Sequence, residues 1–338
     1  MTDGVRIGVI GVGAIGADHV RRIGRVLSGG RVVAVSDVDA DRAGAVAAGA
    51  GGARVHHTGQ DLVADDTVDG VLIASWGPTH AEYVLACLSA GKPVFCEKPL
   101  ATTQEDCLRV VSAEVSGGRR LVQVGYMRRY DPAYRELKAV LAAGAVGRPT
   151  MLHSVHRNAS VPAHYTADMV ITDTAVHDVD VCRWLLDDEV AAVTVHKPRR
   201  SSRAAGDLHD PLLVVLETAG GVLADVEIAV TIGYGYDVRA ELVGETGTAE
   251  LAAGGEVLVR SAGTAGRRLP PDWRERFSRA YDLELQDWLD AVAAGACTGP
   301  SSWDGYAVAA VADAGMESLR TGERVPVSLV DRPHLYGP

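Results

Sequence analysis

The chain has 338 residues, enough for two domains, and its composition (47% hydrophobic, 23% charged) is that of a globular protein. A formal net charge of −11 argues against a general binder of nucleic acid or of anionic membranes, because both need a basic face. Five dispersed cysteines without a CxxC pair fit buried thiols in a reducing cytosol, not a disulfide framework or a zinc knuckle.

The apolar run over residues 7–17 has the length of a signal-peptide core. Its glycines fall at motif spacing, however, and Asp18-His19-Val20-Arg21-Arg22 follows with no cleavage site. It reads as a strand, a turn and the start of a helix. No stretch of 18 apolar residues exists, so the sequence predicts no membrane span.

Along residues 1–125 strand and helix alternate. Strands are predicted over 6–10, 31–36, 68–75, 93–96 and 120–124, and helices over 14–27, 41–48, 79–90 and 104–115. Apolar strands alternating with helices imply a parallel sheet covered on both faces, wound in the doubly wound manner. After Pro132 the rhythm changes to a helix over 133–143, a strand over 151–156, a helix over 172–186, and strands over 191–196, 212–217, 222–230 and 238–243. Gly220-Gly221 between two of these is a hairpin signal. Residues 126–338 thus read as an α+β domain with an open, largely antiparallel sheet. The segment 199–205 reads as a solvated loop, and a late helix over 305–319 is expected to fold back on the first domain.

Gly11-Val12-Gly13-Ala14-Ile15-Gly16 is a GxGxxG pattern placed between the first strand and the first helix. In that context Gly11 makes the tight turn, Gly13 admits pyrophosphate, and Gly16 packs helix on strand, with the amides of Ala14 and Ile15 at the helix N-terminus. Asp37 closes the second strand 21 residues after Gly16, where a carboxylate binds ribose hydroxyls and repels a 2′-phosphate. NAD is therefore favoured over NADP.

Only four of the 33 Lys and Arg residues are lysine: Lys92, Lys98, Lys138 and Lys197. Lys98 follows the strand at 93–96, at the carboxyl edge of the sheet where ligands of such folds bind. An ammonium there is a compact charge that guanidinium does not replace. Asp173 and His177 are four apart in a predicted helix and so share one face. A metal-free alcohol dehydrogenase needs a base for the hydroxyl proton, and a carboxylate-supported histidine suits that task. The rival readings are surface Glu–Lys and Asp–His pairs, or a metal site drawn from His153, His156, His164, His177 and Asp173. No HExxH, clustered Cys/His spacing or GxSxG elbow supports metal or serine-hydrolase chemistry.

These segments together resemble the Gfo/Idh/MocA oxidoreductase family, essentially from end to end. The resemblance is carried by Ser75-Trp76-Gly77-Pro78, Phe95-Cys96-Glu97-Lys98-Pro99, Gly125-Tyr126-Met127-Arg128-Arg129-Tyr130-Asp131, His156-Arg157-Asn158, Asp173-Thr174-Ala175-Val176-His177, Gly233-Tyr234-Gly235-Tyr236-Asp237 and Trp303-Asp304-Gly305-Tyr306. The Met-Arg-Arg, His-Arg-Asn and Tyr-Gly-Tyr segments are similar to its inositol dehydrogenase branch. The resemblance implies a Rossmann NAD-binding domain and a Lys98–Asp173–His177 catalytic trio, with His177 as proton acceptor. It implies polyol contacts from Met127, Arg128, His156, Asn158 and Tyr236, and places Ser75, Trp76, Glu97 and Lys98 with the cofactor. The implied reaction is NAD-dependent oxidation of a cyclitol hydroxyl, myo-inositol to 2-keto-myo-inositol. Scyllo-inositol, amino-cyclitols and pyranoses are the alternative substrates. The implied assembly is a cytoplasmic homotetramer. Thr174-Ala175 and Ala163-His164 depart from the family pattern. A reading of another class, a non-catalytic dinucleotide or sugar sensor, has no need of the trio.

Overall fold

The computed structural model describes residues 4–251, 258–261 and 264–337. The chain divides into two compact units, one of residues 1–126, 281–309 and 329–338, the other of residues 127–280 and 310–328.

In the first unit the strands are β1 (Val5–Ile10), β2 (Gly30–Ser36), β3 (Arg54–His56), β4 (Gly70–Ile73), β5 (Val94–Glu97) and β6 (Val122–Gly125). All pair in parallel in the order β3-β2-β1-β4-β5-β6. β4, β5 and β6 are buried at every residue, as a sheet covered on both faces requires. The helices between them are α1 (Ala14–Arg25), α2 (Ala40–Gly49), α3 (Gly59–Ala64), α4 (His80–Ser89) and α5 (Gln104–Gly117). Asp39, Thr58 and Thr103 accept N–H bonds at the starts of α2, α3 and α5, and Gly118 ends α5 at φ +68°. The sequence reading has no counterpart for β3 and α3. The strand has only three residues and the helix six, too short for hydrophobic periodicity to register.

In the second unit the chain runs through α6 (Pro132–Ala142) and β7 (Pro149–Arg157) into a helix of three parts. These are α7 (Ala167–Met169), a π-helical turn (Val170–Ala175) and α8 (Val176–Leu186). Then follow β8 (Val190–His196), β9 (Leu212–Thr218), β10 (Leu223–Ala229), β11 (Asp237–Gly244), β12 (Thr248–Glu250) and the hairpin of β13 (Leu258–Ser261) with β14 (Thr264–Arg267). The main sheet has the order β12-β11-β7-β10-β9-β8-β15, with β15 (Val325–Pro326) at its edge. It is antiparallel except for β7 against β10, in keeping with the largely antiparallel sheet expected. Gly221, at φ +88°, turns β9 into β10. The segment 199–205 is a largely exposed loop, as expected, pinned by hydrogen bonds: Arg200 donates to the carbonyls of Leu208 and Ala204, and Arg203 to that of Ile232.

The remaining helices are α9 (Trp273–Arg276), α10 (Ser278–Ala293) and α11 (Ser302–Thr321). The division into units falls inside α10 and inside α11. Leu285, Trp288 and Leu289 of α10 join Ile7, Val9, Leu72 and Phe95 in the core of the first unit. The sequence reading left α10 unassigned. Its stripe at Tyr281, Leu285, Trp288, Leu289 and Val292 has the spacing of an amphipathic helix, with Asp282, Glu284 and Asp287 off that face, so the sequence does carry the signal for it.

Candidate active site

The loop between β1 and α1 is shaped by its glycines, each for a different reason. Gly11 sits at φ +83°, and a Cβ there would lie 2.4 Å from the Ser75 nitrogen. A Cβ on Gly16 would lie 2.0 Å from the Gly11 carbonyl oxygen. These two glycines serve packing. A Cβ on Gly13 would meet nothing within 4 Å, so the space over it is open. Gly13 is also the N-cap of α1, supplies no side-chain cap, and is followed by a first turn without an acid. Uncapped amides, the positive end of a helix dipole and open space fit the pyrophosphate of a dinucleotide.

Asp37 closes β2 and reaches back to this loop. One oxygen accepts the Val12 N–H at 2.7 Å and the other the Asp39 N–H at 2.9 Å. Arg42 Nη1 lies 3.5 Å from the carboxylate. Asp37 thus fixes the fingerprint turn and places a negative charge at the end of β2.

The next two loops at the carboxyl edge are tied by His80, which is buried at the start of α4. Its Nδ1 lies 2.6 Å from the Pro99 carbonyl and its Nε2 lies 3.0 Å from that of Ser75. Burial holds this imidazole below its ordinary pKa, and the neutral ring has one N–H to give to one of these two carbonyls. Ser75 Oγ shares a 2.8 Å hydrogen bond with Thr79, and the Trp76 indole is 77% exposed beside it. Lys98 is half-buried at the end of β5, and the Lys98–Pro99 peptide is cis. Glu97 turns inward. It is 7% exposed, with Oε1 2.7 Å from His19 Nε2 on α1 and Oε2 accepting the Lys98 N–H at 3.2 Å.

In the second unit three of the sequence-predicted polyol residues, Arg128, His156 and Tyr236, form an array with the carboxylate of Asp178. Arg128, in a 3-10 turn, and His156, near the end of β7, are almost fully buried. Asp178 on α8 lies 2.5 Å from Arg128 Nη1 and 2.7 Å from His156 Nδ1. Tyr236 Oη lies 3.2 Å from His156 Nε2, and its ring meets His156 and Phe277 edge to face. Burial alone would raise the Asp178 pKa, but the Arg128 charge and the His156 bond pull it below the ordinary value. Losing one partner of a fully buried pair costs about 3–5 kcal/mol, so this array is an anchor of the unit and not a surface decoration. Met127 is buried next to it in sequence, and Asn158 is half-buried just past β7 with its N–H on the Ala229 carbonyl.

Asp173 and His177 do not sit on one regular α-helix. Asp173 lies in the π turn and His177 in the first turn of α8, so the wider i→i+5 turn sets their relative angle. Tyr165 accompanies this turn. Its hydroxyl lies 3.0 Å from the Met169 carbonyl, an acceptor that a regular helix would offer to the Asp173 amide, and 2.9 Å from Asp173 Oδ2. Thr174 Oγ1 is 2.8 Å from the same hydroxyl. Burial first, and the Asp173 charge second, hold the Tyr165 hydroxyl protonated well above its ordinary range. The His177 ring stands 6.4 Å from that of His156, centroid to centroid.

His153 and His156 pair with Asp225 and Asp178. Among the described residues no group of three or more His, Cys, Asp or Glu side chains is placed to hold a metal. No helix there is long and apolar enough to cross a membrane. All five cysteines are free, and burial pushes the Cys87 and Cys182 thiols up to about 12. Tyr165, Asp178, His19 and His80 are the site-building residues that sequence reasoning missed. A signal existed for Asp178: in α8 it lies among Val176, Val179, Val181, Cys182 and Leu185, and an acid buried with them must find a partner.

A six-stranded parallel sheet with an open, uncapped glycine loop, followed by an α/β unit with a mixed sheet, defines a two-domain NAD-linked oxidoreductase. The particular family follows from sequence comparison. Residues 5–126 match the model of an oxidoreductase family with an NAD-binding Rossmann fold, and residues 138–329 match its C-terminal alpha/beta domain. The chain belongs to the Gfo/Idh/MocA oxidoreductase family. It is 54% identical to inositol 2-dehydrogenase 3 of Saccharopolyspora erythraea, over 98% of both chains. It is 52% identical to inositol 2-dehydrogenase of Serratia proteamaculans, over 98% of this chain and 99% of that one. Among solved structures, myo-inositol dehydrogenase from Lactobacillus casei in complex with NAD(H) and myo-inositol matches with a TM-score of 0.96. That match has 38% identity and covers 98% of this chain and 99% of that one.

Proposed function

We propose that this protein oxidises a ring secondary alcohol of a cyclitol to a ketone with NAD, and that myo-inositol, giving 2-keto-myo-inositol, is its substrate. The observation that carries the reading is the 54% identity to an inositol 2-dehydrogenase along almost the whole of both chains, with Lys98, Asp173 and His177 all present. A second support is chemical: vicinal hydroxyls need several convergent donors and acceptors, and the Arg128, His156, Asp178 and Tyr236 array is dense in both.

NAD, when bound, supplies the acceptor for the hydride that leaves carbon. The amides at the start of α1 would hold its pyrophosphate, and Asp37 would engage its adenosine ribose. Ser75, Trp76 and Lys98, at the carboxyl ends of β4 and β5, would contact the cofactor. Lys98 lowers the pKa of the reacting hydroxyl through its ammonium charge. His177 accepts the hydroxyl proton at an imidazole nitrogen. Asp173, braced by Tyr165, orients the ring of the polyol. Met127, Arg128, His156, Asn158 and Tyr236 define the shape and hydrogen-bonding pattern of the polyol site. Because oxidation releases a proton, turnover in that direction rises at alkaline pH. The proposed setting is the cytoplasm, and the proposed assembly a homotetramer.

The reading is tested by NADH formation from a panel of cyclitols and pyranoses by the purified protein. Absence of turnover with every member, using NAD or NADP, contradicts it. Cofactor choice has its own test. Asp37→Ala removes the charge that repels a 2′-phosphate and frees Arg42, 3.5 Å away, to bind one. The ratio of kcat/KM for NADP over NAD is expected to rise by about tenfold or more, the effect of one charged contact of about 1.4 kcal/mol. A variant that still rejects NADP completely shows that Asp37 does not set the preference.

A further inference from the structure

Lys98 occupies a segment held from both sides by buried histidines, and neither belongs to the trio. On one side His80 bonds the Pro99 carbonyl. On the other, His19 bonds Glu97, whose second oxygen accepts the N–H of Lys98 itself. We propose that His19 and Glu97 are positioning residues for Lys98, linking the glycine-loop helix α1 to the lysine through one buried carboxylate. The inference rests on the assignment of Lys98 to the reaction.

The arrangement is built for this task. His19 is completely buried on α1, three residues past Gly16. Its ring is fixed by Phe95 at 5.9 Å, edge to face, and by Tyr281 at 5.8 Å. Its Nδ1 has no hydrogen-bond partner, so the ring's one N–H belongs on Nε2, where it donates to Glu97. The opposite tautomer would strand an N–H in the interior. Gly125, paired with Glu97 across β5 and β6, leaves the carboxylate its space: a Cβ there would lie 3.1 Å from Glu97 Oε2. Both Glu97 oxygens are thus committed inward, so this side chain acts through Lys98 rather than on a bound molecule. Without the His19 N–H the carboxylate loses its inner anchor and swings toward solvent, carrying the Lys98 backbone with it.

A double-mutant cycle on kcat with myo-inositol and NAD separates this role from mere support of the fold, with NAD affinity and thermal midpoint measured for each variant. Glu97→Gln is expected to lower kcat by about tenfold or more while NAD affinity stays within about threefold, because a displacement of about 1 Å in a catalytic group is costly. In a Lys98→Ala background the same substitution is expected to lower kcat less than about twofold further, since there is no ammonium left to position. His19→Ala is expected to match Glu97→Gln, and His19→Gln, whose amide N–H falls near the lost Nε2–H, to recover most of the activity. Equal losses from Glu97→Gln in both backgrounds overturn the proposal, as does a His19→Gln no better than His19→Ala at equal thermal midpoint. If Lys98→Ala itself turns over like the wild type, the assignment of Lys98 falls, and the proposal with it.

Discussion

His177→Ala is expected to lower kcat for cyclitol oxidation by about 10²–10⁴-fold, the usual worth of a positioned general base, while NAD affinity stays nearly unchanged. The asymmetry follows from where the residue stands. His177 lies in the first turn of α8, among residues of the second unit, whereas the fingerprint loop and Asp37 belong to the first. Its interaction with the hydroxyl proton strengthens as the proton moves, so it is felt in the transition state rather than in cofactor binding. Steady-state kinetics with a separate NAD titration read the two effects apart. A variant whose NAD affinity falls as far as its kcat would place His177 with the cofactor instead.

Lys98→Arg is expected to cost about 100-fold in kcat although the positive charge remains. Arginine is longer, planar and always charged, so it brings its charge to the wrong place and disperses it. The surroundings leave little room for correction. The Lys98 N–H is held by Glu97, Glu97 by His19, and the Pro99 carbonyl by His80. A misplacement of about 1 Å in such a constellation can cost about 10²-fold, or about 2.7 kcal/mol of barrier. Four lysines among 33 cationic residues make retention at position 98 suggestive but not decisive, and this substitution decides it. A nearly fully active Lys98→Arg would make the lysine a chance survivor.

Much of the fold could be read from the chain because its first unit obeys strong local rules. The β1 to α1 turn needs glycine at Gly11 and Gly16 for steric reasons that spacing alone reveals. Short buried strands such as Val94–Glu97 announce themselves by apolar content. β3 and α3 escape by brevity, whereas α10 carries a helical stripe from Tyr281 to Val292 that the sequence does display. The candidate site divides along a similar line. Motif residues such as Lys98 and His177 could be named, but the side chains that hold them could not. Asp178 meets Arg128 and His156, which lie 50 and 22 residues away in sequence. Glu97 meets His19 across 78 residues. Those partners are created by the sheet order, and one sequence does not display it. The π turn also resisted reading, since Tyr165 intercepts the Met169 carbonyl from outside the helix it alters.

The central claim is that this chain moves a hydride from a cyclitol carbon to NAD. It is tested most directly with myo-inositol deuterated at C2. The purified protein is expected to form NADH carrying one deuterium and 2-keto-myo-inositol carrying none. Formation of unlabelled NADH, or no NADH from any cyclitol under conditions where the protein is folded and binds NAD, would contradict it.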